Sequence, residues 1–179
     1  MPVKLRTTVT YRGPIEGKIK NFYPVMVKAM KAAAEWWFKE ILPGHFKKGA
    51  AQKYKYAPRT RQYQNRKRKA IEKGWVRDPV QKLRVPLGDP QMPALVWTGR
   101  TRQMVQAMPR FGTTLTSVTL KMAAPRYAFM SQHMVGRPNI PAEIVAQTKA
   151  EEAQLTAMVT KELETMLKAQ TPVVVKQAS

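Results

Sequence analysis

A run of basic residues in the first half of the chain is the feature that most limits how this protein can fold. Between Lys47 and Lys69 there are ten Lys or Arg residues and no acidic residue. Unpaired charges are costly to bury, so this run predicts a solvated face, a surface for a polyanion, or a contact with an acidic protein neighbour. The ten cations are Lys47, Lys48, Lys53, Lys55, Arg59, Arg61, Arg66, Lys67, Arg68 and Lys69.

The charge of the whole chain is large and unevenly placed. The formal net charge is +21, and 28 of the 32 Lys and Arg residues precede Pro138, where only six acidic residues stand. From Pro138 onward there are four Lys or Arg residues against five acidic ones, so this last part is close to neutral. A surplus of this size implies a polyanionic or acidic partner.

Length and periodicity predict one α+β domain. The chain has 179 residues, 44% of them hydrophobic, which suits a single core. We expect a small antiparallel sheet packed with two long amphipathic helices, in one domain covering residues 1–170, followed by a tail at 171–179. A basic helical or extended arm is predicted at 47–74 and a Pro-rich loop without regular structure at 75–93.

Individual elements follow from apolar spacing and end signals. The predicted elements are a strand at 3–11, a core helix at 25–41 ended by Pro43 and Gly44, a basic helix at 59–73 capped by Gly74, a strand at 113–122 that could form half of a hairpin, and a helix at 148–168 that begins with a Thr148–Glu151 capping box. The predicted core between the two long helices consists of Trp37, Phe38, Leu155, Val159 and Leu163. The acidic residues Glu143, Glu151, Glu152, Glu162 and Glu164 are interpreted as the solvated face and N-terminal charge of the last helical region.

The sequence offers no pattern typical of catalysis. Its two histidines, His45 and His133, stand in no metal-ligand or nucleophile–base motif, and its glycines lack phosphate-loop spacing. Cysteine is absent, which excludes disulfides and thiolate metal sites. We therefore expect no enzymatic activity, no cofactor and no metal.

Location follows from the same absences. A chain without cysteine suits a reducing cytoplasm. No run approaches the roughly 18 apolar residues of a membrane span, and the first residues lack the apolar core of a signal peptide. The sequence thus predicts neither a membrane-spanning protein nor export by a signal peptide.

The basic run has two interpretations that composition leaves open. Its cations can pair with phosphates while Tyr54, Tyr56 and Tyr63 stack on bases or pack against sugars. Alternatively, it is a solvated face or binds an acidic protein neighbour. If it binds DNA, the contacts should be to phosphates, since no base-reading helix is recognisable, and the affinity should fall steeply with salt.

A more specific pattern occurs at "ALVWTGRTRQMV", residues Ala94 to Val105. It resembles the "L-V-x-T-G-x-L-R-x-S" signature of the virion morphogenesis or tail-completion proteins of tailed bacteriophages, typified by the Mu-like phages. A basic helix and a Pro-rich loop precede this motif, and "YAFMSQH" with a later "IPAEI" follows it, in the order of that family. Trp97 and Thr101 stand where the family usually has an acidic residue and a leucine. In this corner we expect Thr98 to act as an N-cap and Gly99 to lie in the first turn of a helix.

The resemblance implies a structural virion protein of the neck or tail top, without enzymatic activity. Such a protein would form a homo-oligomeric ring around the channel for the phage double-stranded DNA. Its other partners would be portal or connector proteins and tail-tube or tail-terminator proteins, with no membrane involved and with assembly in the cytoplasm of the host bacterium. The motif and interface residues carried over are Trp97, Thr98, Gly99, Arg100, Arg102, Tyr127 and Pro141.

Further expectations and two competing functions accompany this one. Part of the basic run should pack on acidic neighbouring subunits, because a channel that binds DNA tightly would slow its passage. Trp75 and Trp97 are interpreted as interface anchors, although Trp97 could instead fill the core beneath Thr98. The competing functions are an RNA-scaffold protein of the ribosomal type and a basic membrane-surface protein.

Overall fold

The protein has an α+β fold, as the sequence predicts. The computed structural model describes residues 2–8, 22–78, 81–96, 98–107, 109–114, 117–129 and 138–170. The elements in chain order are β1 (Pro2–Thr8), α1 (Phe22–Trp36), a π-helical turn (Trp37–Ile41), a 3-10 turn (Leu42–Phe46), α2 (Ala50–Lys53), α3 (Arg61–Lys73), β2 (Trp75–Arg77), β3 (Arg84–Pro86), α4 (Arg100–Ala107), β4 (Arg110–Thr113), β5 (Ser117–Ala123), a 3-10 turn (Arg126–Phe129), α5 (Ile140–Ile144) and α6 (Lys149–Gln170). The predicted tail at 171–179 and the predicted strand end at 9–11 lie outside the described residues.

A three-stranded antiparallel sheet forms one side of the core. Its strand order is β1–β5–β4, so β5 is central and forms a hairpin with β4. Val118, Leu120 and Met122 are fully buried because alternate residues of a strand point to the same side. The predicted strand is confirmed, although Thr113 belongs to β4.

The two long helices pack against each other, and α1 also contacts β5. Several of the buried residues on α1 are alanines, which let the neighbouring backbones approach closely, while Lys28, Lys31 and Lys39 on the opposite side are exposed. The buried cluster between these elements consists of Met26, Ala29, Met30, Ala33, Ala34, Val118 and Val159.

The end of α1 differs from the prediction. Regular α-helical geometry stops at Trp36, and the backbone continues as the π-helical turn and then the 3-10 turn. Pro43 accounts for part of this change, because it has no N–H to donate and its ring collides with the carbonyl four residues earlier in an α-helix. The altered turn places Trp37, Leu42 and Phe46 fully inside the protein.

The predicted core between the two long helices is only partly correct. Val159 lies in the α1–α6 cluster, and Leu155 and Leu163 pack at its edge. Trp37 instead belongs to a second, larger cluster that lies between the turns after α1, α4, β5 and α5. Leu155 touches both clusters and joins them.

The Pro-rich segment contains regular structure that the sequence prediction missed. Strands β2 and β3 form a short antiparallel hairpin in which Trp75 lies opposite Pro86 and Arg77 opposite Arg84. The prediction of a loop across the whole of 75–93 is therefore wrong for these strands. Each strand has three residues, which is too short to produce a recognisable alternating pattern.

Two glycines bring the end of this segment against the start of α4. A Cβ atom on Gly88 would lie 2.2 Å from the backbone nitrogen of Gly99, and Gly99 itself has a φ of 78°. The helix begins at Arg100, whose N–H donates to Oγ1 of Thr98 at 3.3 Å. Thr98 thus accepts the N–H of the first helical residue, but Gly99, not Thr98, directly precedes the helix, so both residues lie one position earlier than predicted.

Replacing Gly88 by alanine should destabilise the fold strongly. The added methyl group would collide with backbone atoms, which cannot move aside as a flexible side chain can, so we expect a loss of about 2 kcal/mol or more in the free energy of unfolding. Gly112→Ala is the matched control, because its Cβ would meet no atom closer than 3.8 Å. That control should change stability by less than about 1 kcal/mol. Equal losses in urea unfolding would contradict the close backbone contact.

Candidate nucleic-acid interface

The basic arm, residues 47–74, is mainly helical and has well-defined ends. The short helix α2 is followed by an extended segment that leads to Thr60, whose Oγ1 accepts the N–H of Tyr63 at 3.2 Å. Helix α3 then runs to Gly74, which adopts a left-handed conformation with φ of 72°. The predicted basic helix and its C-cap are confirmed.

One face of α3 packs on the protein and the rest is exposed. Tyr63, Lys67 and Ala70 lie three or four residues apart and form the inward face. Ala70 contacts Val76 and Met92 in a small apolar cluster. The helix is therefore held by one narrow stripe, and most of its cations remain in solvent.

Arg59 is used inside the fold. Its Nη1 donates to Oε1 of Glu143 at 2.7 Å and its Nη2 donates to Oε2 of the same carboxylate at 2.6 Å. The side chains of Arg59 and Glu143 are 12% and 7% exposed, so this bidentate pair is largely shielded from water. It joins the basic arm to α5.

Lys53 forms a second ion pair, which joins the basic arm to α6. Its ammonium lies 2.6 Å from Oε1 of Glu151, which also accepts a hydrogen bond from the hydroxyl of Tyr54 at 3.0 Å. The other oxygen of Glu151 accepts the N–H of Thr148, and Oγ1 of Thr148 accepts the N–H of Glu151. The predicted capping box is confirmed, and its carboxylate also binds the basic arm.

These contacts correct the prediction for two acidic residues. Glu143 and Glu151 are buried rather than on a solvated helix face, while Glu152 and Glu164 are exposed as expected and Glu162 is half-buried. Burial alone would raise the pKa of Glu151, but its hydrogen bonds from Lys53, Thr148 and Tyr54 lower the pKa below its ordinary value.

Lys67 is also engaged within the chain. Its ammonium donates to the carbonyl of Met92 at 2.6 Å and to the carbonyl of Pro93. Burial, together with the nearby positive charge of Arg59, lowers the pKa of Lys67 to about 8. The side chain lines a cleft of about 280 Å³ between the arm and the Pro-rich segment, beside Arg59 and Tyr63.

Two of the three tyrosines of the arm are not placed to stack on bases. Tyr54 and Tyr56 are 7% and 8% exposed, and the ring of Tyr54 stacks on the ring of His45 at 3.8 Å between centroids. Tyr63 is half-buried beneath α3. The interpretation as base-stacking groups is therefore wrong for Tyr54 and Tyr56, which support the arm from inside, while the half-buried Tyr63 lies on the inward face of α3.

His45 lies at the centre of this support. Its Nδ1 is 2.7 Å from the hydroxyl of Tyr56 and 3.1 Å from the carbonyl oxygen of Glu143. Burial lowers the pKa of His45 to about 4, against smaller opposing effects of the Glu143 carbonyl and the Glu151 charge. Its Nε2 has no hydrogen-bond partner among the described residues, so protonation would bury an unsatisfied donor.

Eight of the ten predicted contact residues are exposed, and all of these except Lys53, which pairs with Glu151, lack a close ion pair among the described residues. Six of them form no ion pair within the described part of the chain, and Arg68 only approaches Glu72, with 3.9 Å between Nε and Oε1. The exposed cations other than Lys53 are Lys47, Lys48, Lys55, Arg61, Arg66, Arg68 and Lys69. We define them as the exposed basic surface.

The described residues carried over from the family motif belong to other elements than the exposed basic surface. Thr98 and Gly99 form the corner before α4, where Arg100 lies 3.9 Å from the buried carboxylate of Asp78. Arg102 is half-buried on α4, and Pro141 is half-buried in the first turn of α5. The backbone of Tyr127 lies in a 3-10 turn, and Trp97 lies outside the described residues.

The prediction overlooked another cationic group near the hairpin. Trp75 is half-buried, with the guanidinium carbon of Arg84 4.5 Å and the ammonium of Lys73 5.5 Å from its ring centroid. Lys73 and Trp75 are two positions apart in the sequence, which was one indication that a cation lies near this ring. Arg84 could not be associated with them until the hairpin was known.

Other classes of site receive no support from the described residues. Within the part of the chain that the structure describes, no group of three or more His, Asp or Glu side chains could hold a metal ion. Among the described helices, none is long and apolar enough to cross a membrane. No family model, curated protein or solved structure matches this chain. The family resemblance thus rests on the sequence motifs.

Glu143→Gln should destabilise the protein far more than an equivalent change at the surface. It would leave the largely buried Arg59 cation without its counter-charge, at an expected cost of about 3 kcal/mol in the free energy of unfolding. Glu72→Gln is the matched control, because it removes the exposed pair with Arg68 and should cost less than about 0.5 kcal/mol. The measurement is urea unfolding at low salt. Similar losses in both variants would contradict the assigned role of the buried pair.

Stability should fall as the pH decreases from 6.5 towards 4. The unfolded chain binds a proton at His45 near its ordinary pKa of 6.5, whereas the folded chain resists protonation until about pH 4. The stability is therefore fully present above pH 6.5, and about 3 kcal/mol is lost over this window. Glu151, whose pKa is also lowered, adds a loss only at the acidic end.

Urea unfolding across this pH window measures the loss. His45→Asn should flatten the pH dependence, and His133→Asn is the control that removes the other histidine. A pH dependence that persists in His45→Asn but disappears in His133→Asn would show that the wrong histidine has been assigned.

Proposed function

We propose that this protein is a structural, non-enzymatic component of the neck or tail top of a tailed bacteriophage. In this proposal it assembles in the host cytoplasm as a homo-oligomeric ring around the channel for double-stranded DNA and contacts portal or connector proteins and tail-tube or tail-terminator proteins. The motif at Ala94 to Val105 and the segment that follows it support membership of this class. The structural observation that most supports the proposal is the exposed basic surface.

The fold separates cations that stabilise the chain from cations that remain available to a partner. Arg59, Lys53 and Lys67 are bound to carboxylates or carbonyls of the same chain. The exposed basic surface has no comparable partners among the described residues. Its charges would repel one another in an isolated subunit, and a polyanion would relieve this repulsion.

The buried tyrosines favour a duplex over single-stranded nucleic acid. Single strands are usually bound by stacking bases on exposed aromatic rings, and Tyr54 and Tyr56 of the arm are not available for this role. Lysine and arginine side chains on a helix suffice for contacts to phosphates, which carry little sequence information. DNA that passes through a channel requires this kind of contact, since its sequence varies along the genome.

The structure also changes one expectation about the neighbouring subunits. Part of the basic run was expected to pack on acidic neighbours, but for Arg59 and Lys53 the acidic partners, Glu143 and Glu151, lie in the same chain. Contacts between subunits would then have to come from other surfaces. The exposed side of α6 carries two carboxylates, Glu152 and Glu164, beside Lys149 and Lys161. In a head-to-tail ring these carboxylates would meet cations of a neighbouring copy outside the exposed basic surface.

The purified full-length protein should form closed rings, either alone or with its portal or tail-tube partner. Negative-stain imaging and mass measurement test this expectation, because a head-to-tail interface closes into a ring when its rotation closes. Glu152→Lys/Glu164→Lys should weaken assembly, because it replaces the two exposed carboxylates of α6 with cations. A chain that stays monomeric with these partners and binds folded RNA at physiological salt would overturn the proposal in favour of an RNA-scaffold protein.

A further inference from the structure

The β2–β3 hairpin presents its polar side to solvent because its other side is packed. Val76 is 2% exposed and contacts Ala70 of α3 and Met92, and Val85 opposite it packs on the same cluster. Alternate residues of a strand point to opposite sides. Trp75 and Arg77 of β2 therefore lie on the outward side of the hairpin.

Arg84 lies on this outward side as well, because it is directly opposite Arg77 in the ladder. Both arginines are exposed. Like charges directly opposite each other destabilise a sheet. The neighbouring acidic residue, Asp78, is buried, accepts the N–H of Gln81 at 2.7 Å and lies 3.9 Å from Arg100. Neither Arg77 nor Arg84 forms an ion pair among the described residues, and an arrangement that costs stability in this way is typical of a functional surface.

Contacts within the hairpin hold these cations in position. The guanidinium of Arg84 lies over the ring of Trp75, and Lys73 approaches the same ring from the end of α3. The Nε of Arg77 donates to the carbonyl of Lys82 at 2.8 Å, which leaves its terminal nitrogens available. Cation–π contacts and this hydrogen bond reduce the side-chain freedom that a ligand would otherwise have to restrict.

The cations around the hairpin, Lys73, Arg77 and Arg84, continue a row of basic residues along α3. Arg66, Lys69 and Lys73 follow one another at steps of three and four residues, so they lie on one flank of the helix and lead towards Trp75. The flank from Arg66 to Lys73 extends about 10 Å along the helix at 1.5 Å per residue. A line of this length matches a polyanion better than a single carboxylate.

We infer that Lys73, Trp75, Arg77 and Arg84 form a binding site for the phosphodiester backbone of duplex DNA, in which the arginines and the lysine contact phosphates and Trp75 positions them. This inference rests on the proposed function, because it names the residues through which the subunit would meet the genome. It adds the hairpin to the exposed basic surface. Trp75 is a positioning residue here, since cations lie against its ring.

The test measures the binding of the full-length protein to a short fluorescein-labelled DNA duplex between about 50 and 200 mM KCl. The slope of log K against log salt is negative, and each lost phosphate contact reduces its magnitude by about 0.9, so Arg77→Gln/Arg84→Gln should reduce the magnitude by about 1.8. The matched control is Lys28→Gln/Lys31→Gln, which removes the same charge from exposed positions on α1 and should leave the slope unchanged. Thermal unfolding confirms that both variants are folded.

Trp75→Leu provides a second readout because it retains every charge. The slope should stay near the wild-type value, while the affinity should fall about threefold to tenfold as Arg84 and Lys73 lose their ring contact. An unchanged affinity in Trp75→Leu would contradict its role in positioning these cations.

The remaining outcomes separate this inference from the proposed function. Equal slopes for the hairpin variant and the α1 control would overturn the hairpin site without affecting ring assembly, which imaging measures independently. If the hairpin variant loses binding to poly-L-glutamate but keeps its binding to DNA, the surface is an acidic-protein site and the inference is wrong. A wild-type protein that does not bind the duplex would overturn the inference whether or not it forms rings.

Discussion

The ion pair between Arg59 and Glu143 is the interaction on which the arrangement of the basic arm depends. It connects two residues that are 84 positions apart and places a guanidinium against a buried carboxylate in a bidentate geometry. The Lys53–Glu151 pair repeats the link one element further along, at the start of α6. Between these pairs, His45 stacks on Tyr54 and fills the space beneath the arm. A strongly charged segment is thereby attached to a neutral part of the fold without becoming part of an apolar core.

This attachment explains how a chain of +21 can hold some cations of one run inside the fold and leave the others exposed. The cations on the inward side meet carboxylates or carbonyls, while those on the outward side of α3 are left in solvent. The two groups alternate along the sequence, because α3 exposes most of its circumference and packs along a single stripe. Composition alone cannot separate the groups, since Lys67 and Arg68 are adjacent yet have opposite environments.

Features set by local chemistry were predictable from the sequence, and those set by distant contacts were not. The ends of α3 follow from Thr60 and Gly74, and the start of α6 follows from Thr148 and Glu151, because each cap involves residues three or four positions apart or a single glycine. The buried role of Glu143 could not be predicted, since its partner lies in another third of the chain. The hairpin was missed because prolines and three-residue strands conceal the period of two. The sequence predicted which cations make up the candidate site. Which of them bond within the chain and which are exposed could be seen only in the fold.

The long separation between Arg59 and Glu143 also has a consequence for biosynthesis. A ribosome adds about 5–20 residues per second, so the arm is made roughly 4–17 s before the carboxylate that will neutralise it. During that interval all the cations of the arm are unpaired, including Arg59 and Lys53, which form ion pairs in the folded protein. Completion of the C-terminal third then pairs Arg59 and Lys53 with carboxylates, so the nascent chain has more unpaired cations than the folded protein.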